Sequence, residues 1–170
     1  MFKRILLRFR DMRTVTQLIA GADKQASLLG EDKPGAEHFV LSALKLEDGT
    51  AKRTFERLGV DSIKFQHAVK QQYSEALDSI GIKHTAIEFD PDPIESTKLF
   101  QESQASGQDL MKKLFAFKQQ DKQHPLLGAH VLCVAANMEY GVTSRAFRVM
   151  EIDPKLLIKV AREEIGGIHH

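Results

Sequence analysis

Three side chains of the kinds that bind zinc fall close together in the second half of the chain: His124, His130 and Cys133. Imidazole and thiolate are the usual ligands of tetrahedral zinc, so the spacing invites that chemistry. Cys133, however, lies in the apolar run VLCVA, and Pro125 to Gly128 turns the chain between the two histidines. A satisfied structural role is therefore the expectation for all three, with Cys133 a buried thiol rather than a nucleophile. Glu37, in the tetrapeptide GAEH, offers a different chemistry. A carboxylate at a helix start is held ionised by the dipole and by free backbone amides. The same carboxylate is able to receive a partner's guanidinium through two parallel hydrogen bonds. Two readings stay open for Glu37: it caps its own helix with His38 packed beneath it, or it caps and also contacts a ligand.

The constellations of the common enzymes are missing. None of the eleven glycines is followed by lysine, so no Walker-type phosphate loop exists. G-x-S-x-G, H-E-x-x-H, C-x-x-C and the E-x-x-H of di-iron bundles are missing as well. The chain is expected to be no enzyme and to need no cofactor or metal.

With 170 residues, 42% of them apolar, the chain has enough material for a core, as one domain or two small halves. Its 24 Lys and Arg nearly balance 23 Asp and Glu, which gives no reason to expect a nucleic-acid partner. A lone cysteine excludes an internal disulfide and suits a reducing cytoplasm. No stretch approaches the ~20 apolar residues of a membrane span. The first ten residues, MFKRILLRFR, place Lys3, Arg4, Arg8 and Arg10 among apolar neighbours. Their apolar run is too short for a signal-peptide core. As a basic amphipathic segment they have the character to touch a membrane surface or a partner, but an extra leading turn or a loosely docked extension is the preferred reading, and a membrane is not the expected partner. Lys112, Lys113, Lys118 and Lys122 read as a solvated basic face rather than a phosphate site.

The elements that position these residues come in two similar sets. GAEHFVLSAL (35–44) leads to FERLGVD (55–61), and LGAHVLCVAA (127–136) leads to FRVMEID (147–153). His38 pairs with His130, Gly49 with Gly141, Phe55 with Phe147 and Asp61 with Asp153, each pair 92 residues apart. A tandem repeat of this kind predicts two supersecondary blocks that pack on each other. Val15, Leu18, Ile19, Ala22, Ala26 and Leu29 share one helix face, with Asp11 as cap and Gly30 as stop. Short helices over 36–45 and 50–58 follow. A fourth is capped by Asp61 and turns Ile63, Phe65, Ala68, Val69, Tyr73, Ala76 and Leu77 inward until Gly81.

In the second set, Asp92-Pro93-Ile94-Glu95 is a strong helix start, and the helix runs on past Phe117 with a break or kink expected at Gly107. Helices over 127–137 and 142–150, and one capped by Asp153 with Pro154 in its first turn, complete it. The predicted organisation is a basic extension (1–10), a first repeat (11–80), a linker (81–92), a second repeat (93–165) and an unstructured tail (166–170), all helical.

The order Ala22-x-x-x-Ala26-x-x-Leu29-Gly30, then Gly35-Ala36-Glu37-His38, then Leu58-Gly59-Val60-Asp61 resembles the Clp N-terminal (Clp repeat) domain family. Such domains precede the ATPase rings of ClpA-, ClpB- and ClpC-type unfoldases, and the likeness covers residues 11 to 165. The second copy, Gly128-Ala129-His130-Val131-Leu132, looks closer to the ClpA-type second repeat. The resemblance implies an all-α pseudo-twofold bundle of two four-helix repeats. It also implies a cytoplasmic, non-catalytic module that captures substrates or adaptors for a Clp ATPase, or that binds the ATPase itself. In ClpC-type members a glutamate at the second helix of each repeat, assisted by a threonine, contacts phosphoarginine. Here the first glutamate is Glu37, the threonine position is Met12 and the second glutamate position is Ala129, so the pattern is incomplete. The contact surface expected from this likeness involves Asp11, Glu37, Ala129 and His130. The alternative is a structural or membrane-surface helical protein anchored by its basic N-terminus.

Overall fold

The computed structural model describes residues 2–79 and 93–167; the expected linker, Asp92 and the last three residues lie outside them. Among the described residues the chain is all-α: α1 (Phe2–Leu28), α2 (Ala36–Ala43), α3 (Thr50–Arg57), α4 (Ser62–Ser79), α5 (Pro93–Gln120), α6 (Gly128–Ala136), α7 (Val142–Val149) and α8 (Pro154–Gly166). Helix starts recur at the offset read from the sequence, Ala36 with Gly128, Thr50 with Val142 and Ser62 with Pro154.

The two shortest apolar elements lie at the centre. Every residue of α2 and of α6 is buried. At eight and nine residues they are too short to hold as isolated helices, so packing on all sides stabilises them. α1 covers α2, α5 covers α6, and α2 also meets α5 and α6. The remaining helices pack across the halves, α4 on α7 and α3 on α8. Phe65 of α4 joins these layers, with its ring 5.8 Å from Phe55 and 5.4 Å from Phe147. Both halves therefore share one core.

The turns between helices repeat as well. Gly59 and Glu151 both adopt left-handed backbone, and the next residue closes each turn. Val60 N donates to the Phe55 carbonyl and Ile152 N to the Phe147 carbonyl, both at 2.9 Å. Asp61 and Asp153 then accept from the backbone N–H two residues on, at 3.0 and 2.9 Å.

Four expectations are corrected. α1 begins at Phe2, because nothing from Phe2 to Arg10 breaks a helix; these residues are its leading turns, and Asp11 lies in its interior rather than capping it. Ile19 and Ile63 face solvent instead of the core. α5 runs through Gly107, where a Cβ atom would stand 2.3 Å from the Pro34 carbonyl oxygen. The glycine permits a close helix–loop approach rather than a kink. Finally, Lys118 is not part of a solvated face: Nζ lies 3.3 Å from Asp11 Oδ2 and donates to the Asp121 carbonyl at 2.8 Å.

Candidate functional site

The start of α2 is closed by its own third residue and by the other half of the molecule. Gly35 N donates to His38 Nδ1 at 2.9 Å, and Ala36 N donates to Ser106 Oγ of α5 at 3.1 Å. Glu37, only 1% exposed, accepts a short hydrogen bond from the Tyr73 hydroxyl through Oε1. That oxygen is also 3.5 Å from His38 Nδ1. Because Nδ1 already accepts the Gly35 N–H, the contact is not an ion pair, and the imidazole proton belongs on Nε2. Nε2 is buried with no hydrogen-bond partner. Burial lowers the His38 pKa against the attraction of Glu37. In the preceding loop, burial and then the charges of Glu37 and Asp32 raise Glu31 to about 7.

The start of α6 is sealed more completely. Leu126 N donates to Asp11 Oδ1 at 2.6 Å and Leu127 N to His130 Nδ1 at 3.1 Å. Gly128 N donates to Asp48 Oδ2 at 3.1 Å and Ala129 N to Thr50 Oγ1 at 2.9 Å. Four successive amides are thus satisfied, three of them by side chains of the first half. Asp48 is itself held by Thr50, whose N and Oγ1 both donate to Oδ1. A helix start of this kind attracts an anion; here the protein's own carboxylates occupy it.

His130 differs from His38 on its second nitrogen, which lies 3.1 Å from Asp121 Oδ2. Asp121 also takes His124 Nδ1 at 3.0 Å and the backbone N–H groups of Gln123 and His124 at 3.1 Å. Burial opposes ionisation of Asp121, but bonds from His130, His124 and Gln123 outweigh it and hold the carboxyl at about 2. Burial lowers the His130 pKa, partly offset by Asp121. Cys133 lies apart with Sγ directed at the Ile158 carbonyl, and burial pushes its thiol up to about 11. Both histidines are bound to one carboxylate rather than aimed at a common point. Among the described residues no group of three His, Cys, Asp or Glu is placed to hold a metal.

Asp11, Ala129 and His130 are thus brought together at α6, while Glu37 sits at α2. Ala129 and His130 are fully buried, as Glu37 is, so none of these three presents a surface to a partner. Asp48 and Thr50 bond the Gly128 and Ala129 amides at that helix start. Asp11 alone borders open space, a groove of about 640 Å³ lined also by Arg8, Phe115, Lys118 and Lys122.

Sequence reasoning missed Asp48, Thr50, Ser106 and Asp121. Asp48-Gly49-Thr50 carries a helix-start signal for α3, but nothing local says that it also caps α6. It also missed a charged seam between α3 and α8, where Arg53 Nε is 2.8 Å from Glu164 and Arg57 reaches both Glu163 and Glu164. Comparison of the sequence with models of known families and with curated proteins gave no match. No described helix is long and apolar enough to cross a membrane.

Proposed function

We propose that the chain is a Clp-type N-terminal domain, two four-helix repeats packed about a pseudo-twofold axis, acting as a protein-capture module for a Clp ATPase. The observation that carries the reading is the recurrence of one four-helix unit in which a short buried helix carries histidine at its third position. His38 and His130 occupy that position, where the G-x-E-H motif of the Clp repeat places its histidine. The burial of Glu37, with Tyr73 on its carboxylate, favours a structural role over a receptor for a guanidinium. Capture is assigned instead to the open groove between α1 and α5, where Phe115 is half exposed beside Arg8, Lys118 and Lys122. An apolar anchor among cations suits a protein segment carrying an aromatic or aliphatic side chain near acidic residues.

The test is affinity capture from native lysate with the purified chain beside Phe115→Asp, with bound proteins identified by mass spectrometry. Enrichment of a Clp-type ATPase, its adaptors or its degradation substrates, lost in the variant, is the expected result. Phe115 is exposed, so the variant retains its fold, and circular dichroism checks this. Lists without Clp components overturn the reading; Clp components retained by Phe115→Asp move the contact away from the groove.

A further inference from the structure

Beyond partner capture, α1 carries a second surface. Leu18, Ala22 and Ala26 are buried along its inner face. Phe9 precedes Leu18 by nine residues, two and a half turns at about 3.6 residues per turn, and so points away from the core. Ile5 and Met12, one turn to either side of Phe9, flank the same line, and Leu6 lies beside it. These four side chains are 47% (Ile5), 61% (Leu6), 65% (Phe9) and 66% (Met12) exposed. Four large apolar residues on the outer face of one helix are an unusual load for water.

The charges around that ridge have one sign. Arg8 and Arg10, immediately before and after Phe9, stand on opposite flanks, Arg13 lies at the end of the ridge, and all three are exposed. The sequence adds Lys3 and Arg4. Asp11 is the one acid in the first 22 residues, and its carboxylate is turned to Lys118 and the Leu126 amide. Of these three arginines, Arg13 alone has an acidic neighbour among the described residues, Glu47 at 3.6 Å. A second copy of the chain would set one arginine row against another, which disfavours self-association through this face. A convex apolar ridge with cations on both flanks fits a broad anionic plane, where the apolar side chains enter the acyl boundary and the arginines reach the headgroups.

We infer that the outer face of the first three turns of α1, centred on Phe9, docks the protein on an anionic lipid bilayer. The experiment is co-sedimentation of the full chain with phosphatidylcholine vesicles, with or without about 25% phosphatidylserine. Light scattering on the lipid-free protein accompanies it. Binding is expected only to the anionic vesicles, weakening with added salt. It should fall about tenfold in Phe9→Asp and by a similar factor in Arg10→Ala/Arg13→Ala, which leave the groove-lining Arg8 in place. These residues are exposed, so the variants fold, and an unchanged thermal melt verifies it. No binding to anionic vesicles, equal binding to neutral ones, or binding that survives Phe9→Asp overturns the inference. So does a dimer that Phe9→Asp dissolves in the absence of vesicle binding, which would assign the face to a second copy. Phe115 is unchanged in these variants, so lipid binding and groove capture are read separately.

Discussion

His38 and His130 hold the same place in the two halves and differ by one bond. Each accepts the N–H of the residue three positions earlier through Nδ1, but only His130 has an acceptor, Asp121, on its other nitrogen. The repeat has kept the imidazole that closes its central helix while moving the acid: Glu37 stands beside His38, and the corresponding residue beside His130 is Ala129. Both rings are buried and neutral. Their lowered pKa values mean that stability is full above the ordinary histidine range and falls as the pH drops below it.

Asp121→Ala would leave the His130 Nε2–H buried without an acceptor, the state already found at His38. The expected loss is about 2 kcal/mol at neutral pH, measured by urea unfolding. The Asp121 carboxyl is held at about 2 against an ordinary 3.8. Its contribution is therefore present above the ordinary value and lost as pH falls towards 2, by about 2 kcal/mol. The variant should lack that acid limb. An acid limb identical to that of the unmodified protein would show that Asp121 is not the group responsible.

Glu31 has the opposite sign. Raised from 4.5 to about 7, its carboxyl stabilises the fold when protonated, and that contribution is lost as pH rises through 7. Glu31→Gln should raise stability by about 1 kcal/mol at pH 8, discounted for a group that is partly exposed, and change it little near pH 4.5. Thermal melts at the two pH values measure the difference. Equal effects at both would mean that the carboxyl does not feel Glu37 and Asp32.

The helical elements were legible because each carries its own punctuation. Gly30, Asp61, Asp153 and Pro154 act locally, and the apolar spacing of Leu18, Ala22 and Ala26 matches the face found buried. The site was less legible because its bonds are not local. Thr50 and Ala129 are 79 residues apart, and Asp11 and Leu126 are 115 apart, so no window of sequence relates them. Glu37 shows the same gap from the other side. Its place at a helix start was correctly read, but exposure depends on Tyr73, 36 residues away, closing over it.

Gly107 separates two physical explanations for a glycine within a long helix. Were it a flexible joint, Gly107→Ala would add about 1 kcal/mol of stability through helix propensity. The structure instead sets the Pro34 carbonyl oxygen 2.3 Å and Phe39 Cε2 3.3 Å from the added methyl. Backbone cannot yield cheaply there, so the variant should lose about 2 kcal/mol by chemical denaturation. A gain in stability would restore the joint and remove the close approach.

The repeat supplies its own control for the turn after the third helix. Gly59 and Glu151 occupy equivalent positions at φ 68° and 56°, and Glu151 is the one non-glycine residue at positive φ among the described residues. A side chain there crowds the backbone by about 1 kcal/mol or more, whereas glycine adopts the conformation freely. Glu151→Gly should therefore stabilise the protein by about 0.5–1 kcal/mol, part of the gain being offset by the freer unfolded chain. Gly59→Ala should destabilise it by a similar amount, since the same turn then acquires the crowding that Glu151 bears. Midpoints of urea unfolding for the two variants measure both shifts; loss of stability in Glu151→Gly would mean that its side chain makes a contact worth more than the backbone crowding.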